Sequence, residues 1–314
     1  MRAVERMRFF KSKAWRLGQS FGKQRWSYLL RSLWGVFDRR RMRCPHCSCS
    51  RHTTVKRKCA VTALVRCESC RLLFRVPTDP PGFGDRFYQE QYDGDFVTDL
   101  PSETELRDLL SRSFADSATD MREEVSILRA LGINAGARIL DYGASWGYGV
   151  YQYQQAGYEA VGFEISRARA AFARDVLGVN VTSDRKDLYG PFDVLLLNHV
   201  LEHLPSPQIA FSLADALLGP DGLFVAFTPN GCIQRCGKDQ RAYHRVWGSV
   251  HPLYLDDEFY QSALAGRPKL ICSTPLDVTE IGAWNQCDNL TWDLEGWELL
   301  CVCAWSPPSD SHTG

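Results

Sequence analysis

Residues 138–149 read Arg138-Ile-Leu-Asp-Tyr-Gly-Ala-Ser-Trp-Gly-Tyr-Gly149. A short apolar run enters a loop of small residues, and an amphipathic segment follows. That order marks a strand, a turn in which backbone can approach a ligand closely, and the N-terminus of a helix. The alternation continues outward. Ala160–Glu164, Asp193–Asn198 and Leu223–Thr228 read as further strands, and Arg138–Asp141 as the first. Between them, Gly147–Gln155, Arg167–Leu177 and Pro207–Leu218 carry helical spacing. Ser166 and Ser206 suit N-caps, Pro207 a first helical position, and Gly178 and Gly219 the helix ends. Strand alternating with helix predicts a parallel, doubly wound α/β sheet. Lys269–Ile281 and Glu298–Trp305 break the rhythm, with no crossover helix between them, and are expected to form an antiparallel hairpin at one sheet edge.

The loop chemistry narrows the ligand. A dinucleotide fingerprint needs G-x-G-x-x-G, but Ser145 and Tyr148 stand at its second and third glycine positions. Asp141 precedes the first glycine by two residues, where a carboxylate would repel a pyrophosphate and suit an ammonium group. Glu164 ends the second strand, 23 residues after Asp141, placed to accept both hydroxyls of a ribose. An acid, a glycine loop and a second-strand acid describe a ligand with a ribose, a positive charge and no phosphate. S-adenosylmethionine has that chemistry.

ILDYGASWGYG (139–149), VGFEIS (161–166), FDVLLLNHVLEHLPSP (192–207) and GPDGLFVAFTPNG (219–231) resemble, in order, the successive motifs of class I S-adenosylmethionine-dependent methyltransferases. The resemblance covers about residues 125–306. It implies a Rossmann-like seven-stranded sheet in which Asp141, Gly143, Ser145 and Gly147 shape the methionine side and Glu164 holds the ribose. It also sets Asn198 under the cofactor and Asp184 at the adenine edge. Ser145 replaces a frequent glycine. The reaction implied is an in-line displacement at a sulfonium methyl, for which the protein aligns the nucleophile and takes up its proton. His203 follows the fourth strand, at the carboxyl end of the sheet, and is the first candidate for general base. His251 in SVHPLYL is the second. His199 is expected to point elsewhere, and Glu202 to orient the neighbourhood of His203 or to cap the turn.

Upstream, Cys44, Cys47, Cys67 and Cys70 form C-x2-C-x19-C-x2-C. Two such knuckles complete a tetrahedral four-thiolate site with no open position, so the spacing predicts a zinc ribbon whose metal is structural. Ala63–Val65 and Leu72–Val76 are its expected strands. Cys49 and Cys59 break the knuckle spacing. The ribbon followed by FYQEQY (87–92) also resembles a subgroup of bacterial methyltransferases associated with sugar and polysaccharide biosynthesis.

The 314 residues predict about two domains, and 45% hydrophobic with 24% charged residues is a folded profile. No apolar run reaches the roughly 18 residues that a membrane span needs. The basic start lacks the apolar region of a secretory signal, so a cytoplasmic location with reduced cysteines is expected. The boundaries read as a basic arm over 1–43, the ribbon over 44–80, a connector with two helices (Glu103–Phe114 and Met121–Leu131) over 81–124, the methyltransferase domain over 125–306 and a tail over 307–314. The net charge of zero conceals an arm of +11 on a body of −11. Apolar residues at helical spacing in the arm fit an extension docked on its own protein or a partly ordered solvated tail, in preference to an amphipathic helix on an anionic membrane surface.

The expected acceptor is a small molecule or a glycan precursor. An RNA methyltransferase gripping phosphates with ribbon and arm is the alternative. It is disfavoured because basic charge is confined to the arm, and because NHVLEH stands where amino-methylating enzymes carry two prolines beside an aromatic. A non-catalytic zinc-ribbon scaffold is a third reading, opposed by the intact Asp141, Gly143, Gly147 and Glu164.

Overall fold

The computed structural model describes residues 28, 31–58, 61–80, 82–83, 99–248 and 251–305. Most of the basic arm, FYQEQY and the tail lie outside them.

Twelve strands are described, in two sheets. The first sheet is small and antiparallel. It comprises β1 (His52–Lys58), β2 (Thr62–Cys67) and β3 (Leu73–Val76), joined by β9 (Leu253–Tyr254) from far downstream. Cysteine knuckles lead into it. Ser48 N donates to Cys44 O at 2.9 Å and Arg71 N to Cys67 O at 3.2 Å, and both residues four positions after a first cysteine hold positive φ, 60° and 65°.

The second sheet follows the order β11-β10-β12-β8-β7-β4-β5-β6. Its parallel centre is β4 (Arg138–Tyr142), β5 (Glu159–Phe163), β6 (Val181–Thr182), β7 (Phe192–Asn198) and β8 (Leu218–Pro229). β12 (Glu298–Ala304) runs antiparallel between β8 and β10 (Lys269–Ser273). Seven of these strands are the doubly wound α/β sheet expected, and the two-residue β11 (Leu290–Thr291) adds an eighth at the edge. Helices α1 (Glu103–Ser111) and α2 (Arg122–Ala130) precede the sheet. Helices α3 (Tyr148–Gln155), α4 (Arg167–Asp175) and α5 (Gln208–Leu217) are its crossovers, and α6 (Ile233–Lys238), α7 (Gln240–Val246), α8 (Asp257–Ala263) and α9 (Val278–Gly282) fill the later connections.

Two expectations are corrected. The strand predicted over Lys269–Ile281 stops at Ser273. Pro275 has no amide for a ladder, and Asp277 starts a helix instead by accepting the Thr279 and Glu280 amides at 2.8 and 3.2 Å. Gly219 does not end a helix but lies within the opening of β8.

Alternating side chains build a core on each face of the sheet. Val194 and Leu196 face a layer with Ile127, Trp146, Val150 and Trp284. Leu195 and Leu197 face a layer with Phe211 and Phe259 that continues into Val65 and Phe74 of the ribbon. The ribbon sheet therefore takes its fourth strand from the chain downstream and shares an apolar core with the large sheet. Polar clamps reinforce the join: Arg66 Nη2 meets Asp256 Oδ2 at 2.6 Å, and Arg71 Nε donates to Glu258 Oε2 at 2.8 Å.

Candidate functional site

The site begins where β4 runs out. Gly143 takes φ +97°, and a Cβ there would collide with Val200 Cγ2. Ser145 (φ 52°) and Gly147 (φ 86°) are also left-handed, so the chain coils tightly before α3. Gly149 lets the first turn of α3 close over the acid, because a Cβ there would stand 2.7 Å from Asp141 Oδ2. These small residues pack loop, helix and carboxylate into one compact corner.

Glu164, past the end of β5, is buried and ties that corner together. Its Oε2 accepts the Ser145 amide at 2.9 Å and its Oε1 the Ser166 amide at 2.8 Å. Each carboxylate oxygen keeps a second lone pair for another donor. Burial pushes the Glu164 carboxyl above its ordinary range, opposed by those amides and by Arg169. Asp141 is pushed up to about 7, by burial first and then by the charges of Glu164 and Glu124. Asn198, at the end of β7, donates through Nδ2 to Glu124 Oε1 at 3.0 Å. Asp141, Gly143, Ser145, Gly147, Glu164 and Asn198 thus gather at the carboxyl ends of β4, β5 and β7. Asp184 differs: it is exposed, and its Oδ1 accepts the Lys186 amide at 3.0 Å as the cap of a short turn.

Glu124 was not anticipated. The only signal in the sequence is an acid at the start of an amphipathic helix (REEVSILRA), which ordinarily reads as favourable dipole chemistry. Its burial on the sheet-facing side is a tertiary fact.

A second cluster follows β7. Leu201–His203 form a 3₁₀ turn that buries Glu202 completely. His203 and His251 face each other with ring centroids 4.7 Å apart. Glu202 Oε1 lies 3.8 Å from His203 Nε2 and 3.3 Å from His199 Nδ1. His199 turns its Nε2 to Glu298 Oε1 at 2.6 Å and lies parallel to the Trp297 ring. Between two carboxylates the His199 imidazole is pushed up to about 10, against its burial. His251 Nδ1 donates to Val246 O at 2.8 Å, which leaves Nε2 as its acceptor nitrogen. Burial, with the neighbouring His203, pushes His251 down to about 4, so its ring is neutral.

The ribbon builds the floor under His251. Arg75, itself buried, donates from its amide to Pro252 O at 2.8 Å and from Nη1 to Gly248 O at 3.2 Å, while Lys58 reaches Trp247 O. The ribbon cysteines converge: Cys44 and Cys70 sulfurs are 3.5 Å apart, as are those of Cys47 and Cys67, and all four lie within 4.8 Å of one another. A tetrahedron with Zn–S bonds of about 2.3 Å has edges of about 3.8 Å, so the four sulfurs fit zinc. The Cys70 thiol, bonding to Cys44, pulls Cys44 down to about 5 and is itself pushed up; burial raises Cys67 to about 11.

Residues 107–261 match a family model described as a methyltransferase domain. The comparison with curated proteins finds no significant match. Similar solved structures include geranyl diphosphate C-methyltransferase from Streptomyces coelicolor A3(2), with Mg2+, geranyl diphosphate and S-adenosyl-L-homocysteine. It is 14% identical, with a TM-score of 0.46, over 72% of this chain and 99% of that one. A TehB-like S-adenosylmethionine-dependent methyltransferase from Corynebacterium glutamicum is 17% identical, with a TM-score of 0.41, over 64% and 94%. The plantazolicin methyltransferase BpumL, in complex with S-adenosylhomocysteine, is 14% identical, with a TM-score of 0.42, over 65% and 91%. The sheet order has the Rossmann-like α/β architecture expected from the sequence, and residues 107–261 are similar to a methyltransferase domain.

Proposed function

We propose that this protein is an S-adenosylmethionine-dependent methyltransferase acting on a small molecule or a glycan precursor. The observation that carries the reading is the crowding of Asp141, Glu164 and Glu124 beside a glycine loop, which holds Asp141 near pKa 7. Buried carboxylates that repel one another are stabilised by a cationic ligand. A diphosphate would make the same crowding worse.

Bound there, the cofactor supplies an electrophilic methyl group on sulfonium. Glu164 would accept the ribose hydroxyls while Ser145 and Ser166 amides hold its carboxylate in place. Asp141 would face the ammonium group, and Asn198, braced by Glu124, would close the floor. On the acceptor side His203 would act as general base. His251, kept neutral and with its tautomer set by Val246 O, would accept a hydrogen bond from the acceptor. Asp184, whose Oδ1 accepts the Lys186 amide, would offer its other oxygen to an adenine edge.

Cys44, Cys47, Cys67 and Cys70 are assigned a structural zinc. Peripheral contact with an anionic membrane through residues 1–43 is supported at the described end of that arm. There Trp34 (76% exposed) and Phe37 (82%) stand beside exposed Arg39, Arg40 and Arg43. No helix among the described residues is long and apolar enough to cross a membrane.

Calorimetry with S-adenosylhomocysteine tests the cofactor. Mass spectrometry of lipid-linked glycans from a strain lacking the protein tests the acceptor: a glycan lighter by one methylene supports this substrate class, and an unchanged profile removes it.

A further inference from the structure

We propose that Glu202, His203 and His251 form a second metal site, for a divalent transition ion of the zinc, cobalt or nickel group. One carboxylate oxygen and one nitrogen from each ring already lie within 4.8 Å of one another. Donor atoms around an ion bound at about 2.1 Å in tetrahedral geometry stand about 3.4 Å apart, so closure needs shifts of little more than about 1 Å. Two imidazoles and a carboxylate are the donor set that suits these ions rather than calcium or magnesium.

Three details favour a ligand site over ordinary packing. His251 donates Nδ1–H to Val246 O at 2.8 Å, the outer hydrogen bond that fixes the ring and leaves Nε2 for a metal. Glu202 is 0% exposed, yet its Oε2 has no hydrogen-bond partner among the described residues. A fully buried carboxylate oxygen without a donor is costly to maintain. The two rings are tilted by 44° at 4.7 Å, which neither stacks them nor hydrogen-bonds one to the other. Both histidines remain partly exposed while Glu202 is buried, so the cluster is anchored at its base and reachable from solvent.

Three protein ligands leave coordination positions open. Resting on the methyltransferase reading, the site would take an oxygen of the acceptor, a hydroxyl or a vicinal diol, as a further ligand. Both imidazole lone pairs are then engaged, so base catalysis by His203 belongs to the metal-free form.

The test is cobalt titration of the full, metal-depleted chain, read by absorption, with S-adenosylhomocysteine calorimetry as a check on folding. We expect two equivalents per chain. One gives the thiolate-to-cobalt bands of the four-cysteine site, and the second gives only the weaker d–d bands of nitrogen and oxygen ligands. Glu202→Gln, or His251→Asn should the first fail to fold, is expected to weaken the second equivalent by more than about tenfold, since even outer-shell losses cost that much. The thiolate bands stay as they are. A single equivalent carrying thiolate bands, or a second one indifferent to both substitutions, overturns the proposal. If the second equivalent binds but S-adenosylhomocysteine does not, the methyltransferase reading fails and the metal site stands.

Discussion

Asn198 donates to Glu124 across 3.0 Å and so braces a helix that precedes the sheet against the strand that ends beneath the loop. That contact keeps the Glu124 carboxylate beside Asp141, which it helps to push up to about 7. The folded state therefore binds a proton that the unfolded chain has lost above about pH 4. By linkage, the Asp141 contribution to stability falls as pH rises from about 4 to about 7 and is level above. A cationic ligand needs the ionised form, so S-adenosylhomocysteine affinity should rise over pH 5.5–7.5, with proton release on the acid side. Asp141→Asn should flatten that rise. Calorimetry in two buffers of different ionisation enthalpy measures both; an affinity that is level in the parent protein removes Asp141 from the site.

Gly143 is required twice, for φ +97° and for the space that Val200 fills. Gly143→Ala should cost about 2–5 kcal/mol, combining backbone strain with overpacking. Adding Val200→Ala should return the packing share but not the strain. Thermal melts of the two variants decide it. Full recovery would mean that strain at this position is negligible.

Cys67→Ser should lower the zinc content by about one ion per chain and lower the melting temperature. The effect should also reach the acceptor side, because β3 pairs with β9 and Arg75 holds the carbonyls of Gly248 and Pro252 around His251. Turnover should fall more than S-adenosylhomocysteine affinity. Elemental analysis, kinetics and calorimetry on the same preparation test this, and equal zinc content in variant and parent would contradict it.

With the ribbon zinc in place and the Glu202–His203–His251 site empty, His203→Gln should reduce turnover by about 10²–10⁴-fold while sparing cofactor binding, the usual range for a general base. His251→Gln should act mainly on the acceptor KM. The reverse ranking moves the base to His251, and a loss of only a few-fold from both leaves alignment alone to carry the transfer.

Much of the sheet is legible in the chain because strand and helix periods differ, and because the loop after β4 needs small residues at fixed places. Ser166 stands at the N-cap of α4 without a side-chain cap bond, and Ser206 lies just before α5, its Oγ accepting the Gln208 amide at 3.2 Å. What was hidden is non-local. Leu253–Tyr254 is too short to announce a strand, and it becomes one only because Leu73 and Phe74 lie alongside. The short helices of residues 233–263 likewise draw on packing more than on period. Glu124 and Glu298 look like solvated acids, and only the fold brings them to Asn198 and His199.

The central claim is cofactor binding, and Glu164 tests it most directly, since its two oxygens hold the Ser145 and Ser166 amides and face the proposed ribose. Calorimetry with S-adenosylhomocysteine should show one site on the parent chain. Glu164→Ala should lose about 1.5–3 kcal/mol, tenfold or more in affinity, as charged hydrogen bonds are removed. Unchanged affinity in Glu164→Ala and in Asp141→Ala, or no binding to the intact parent protein, would contradict the account.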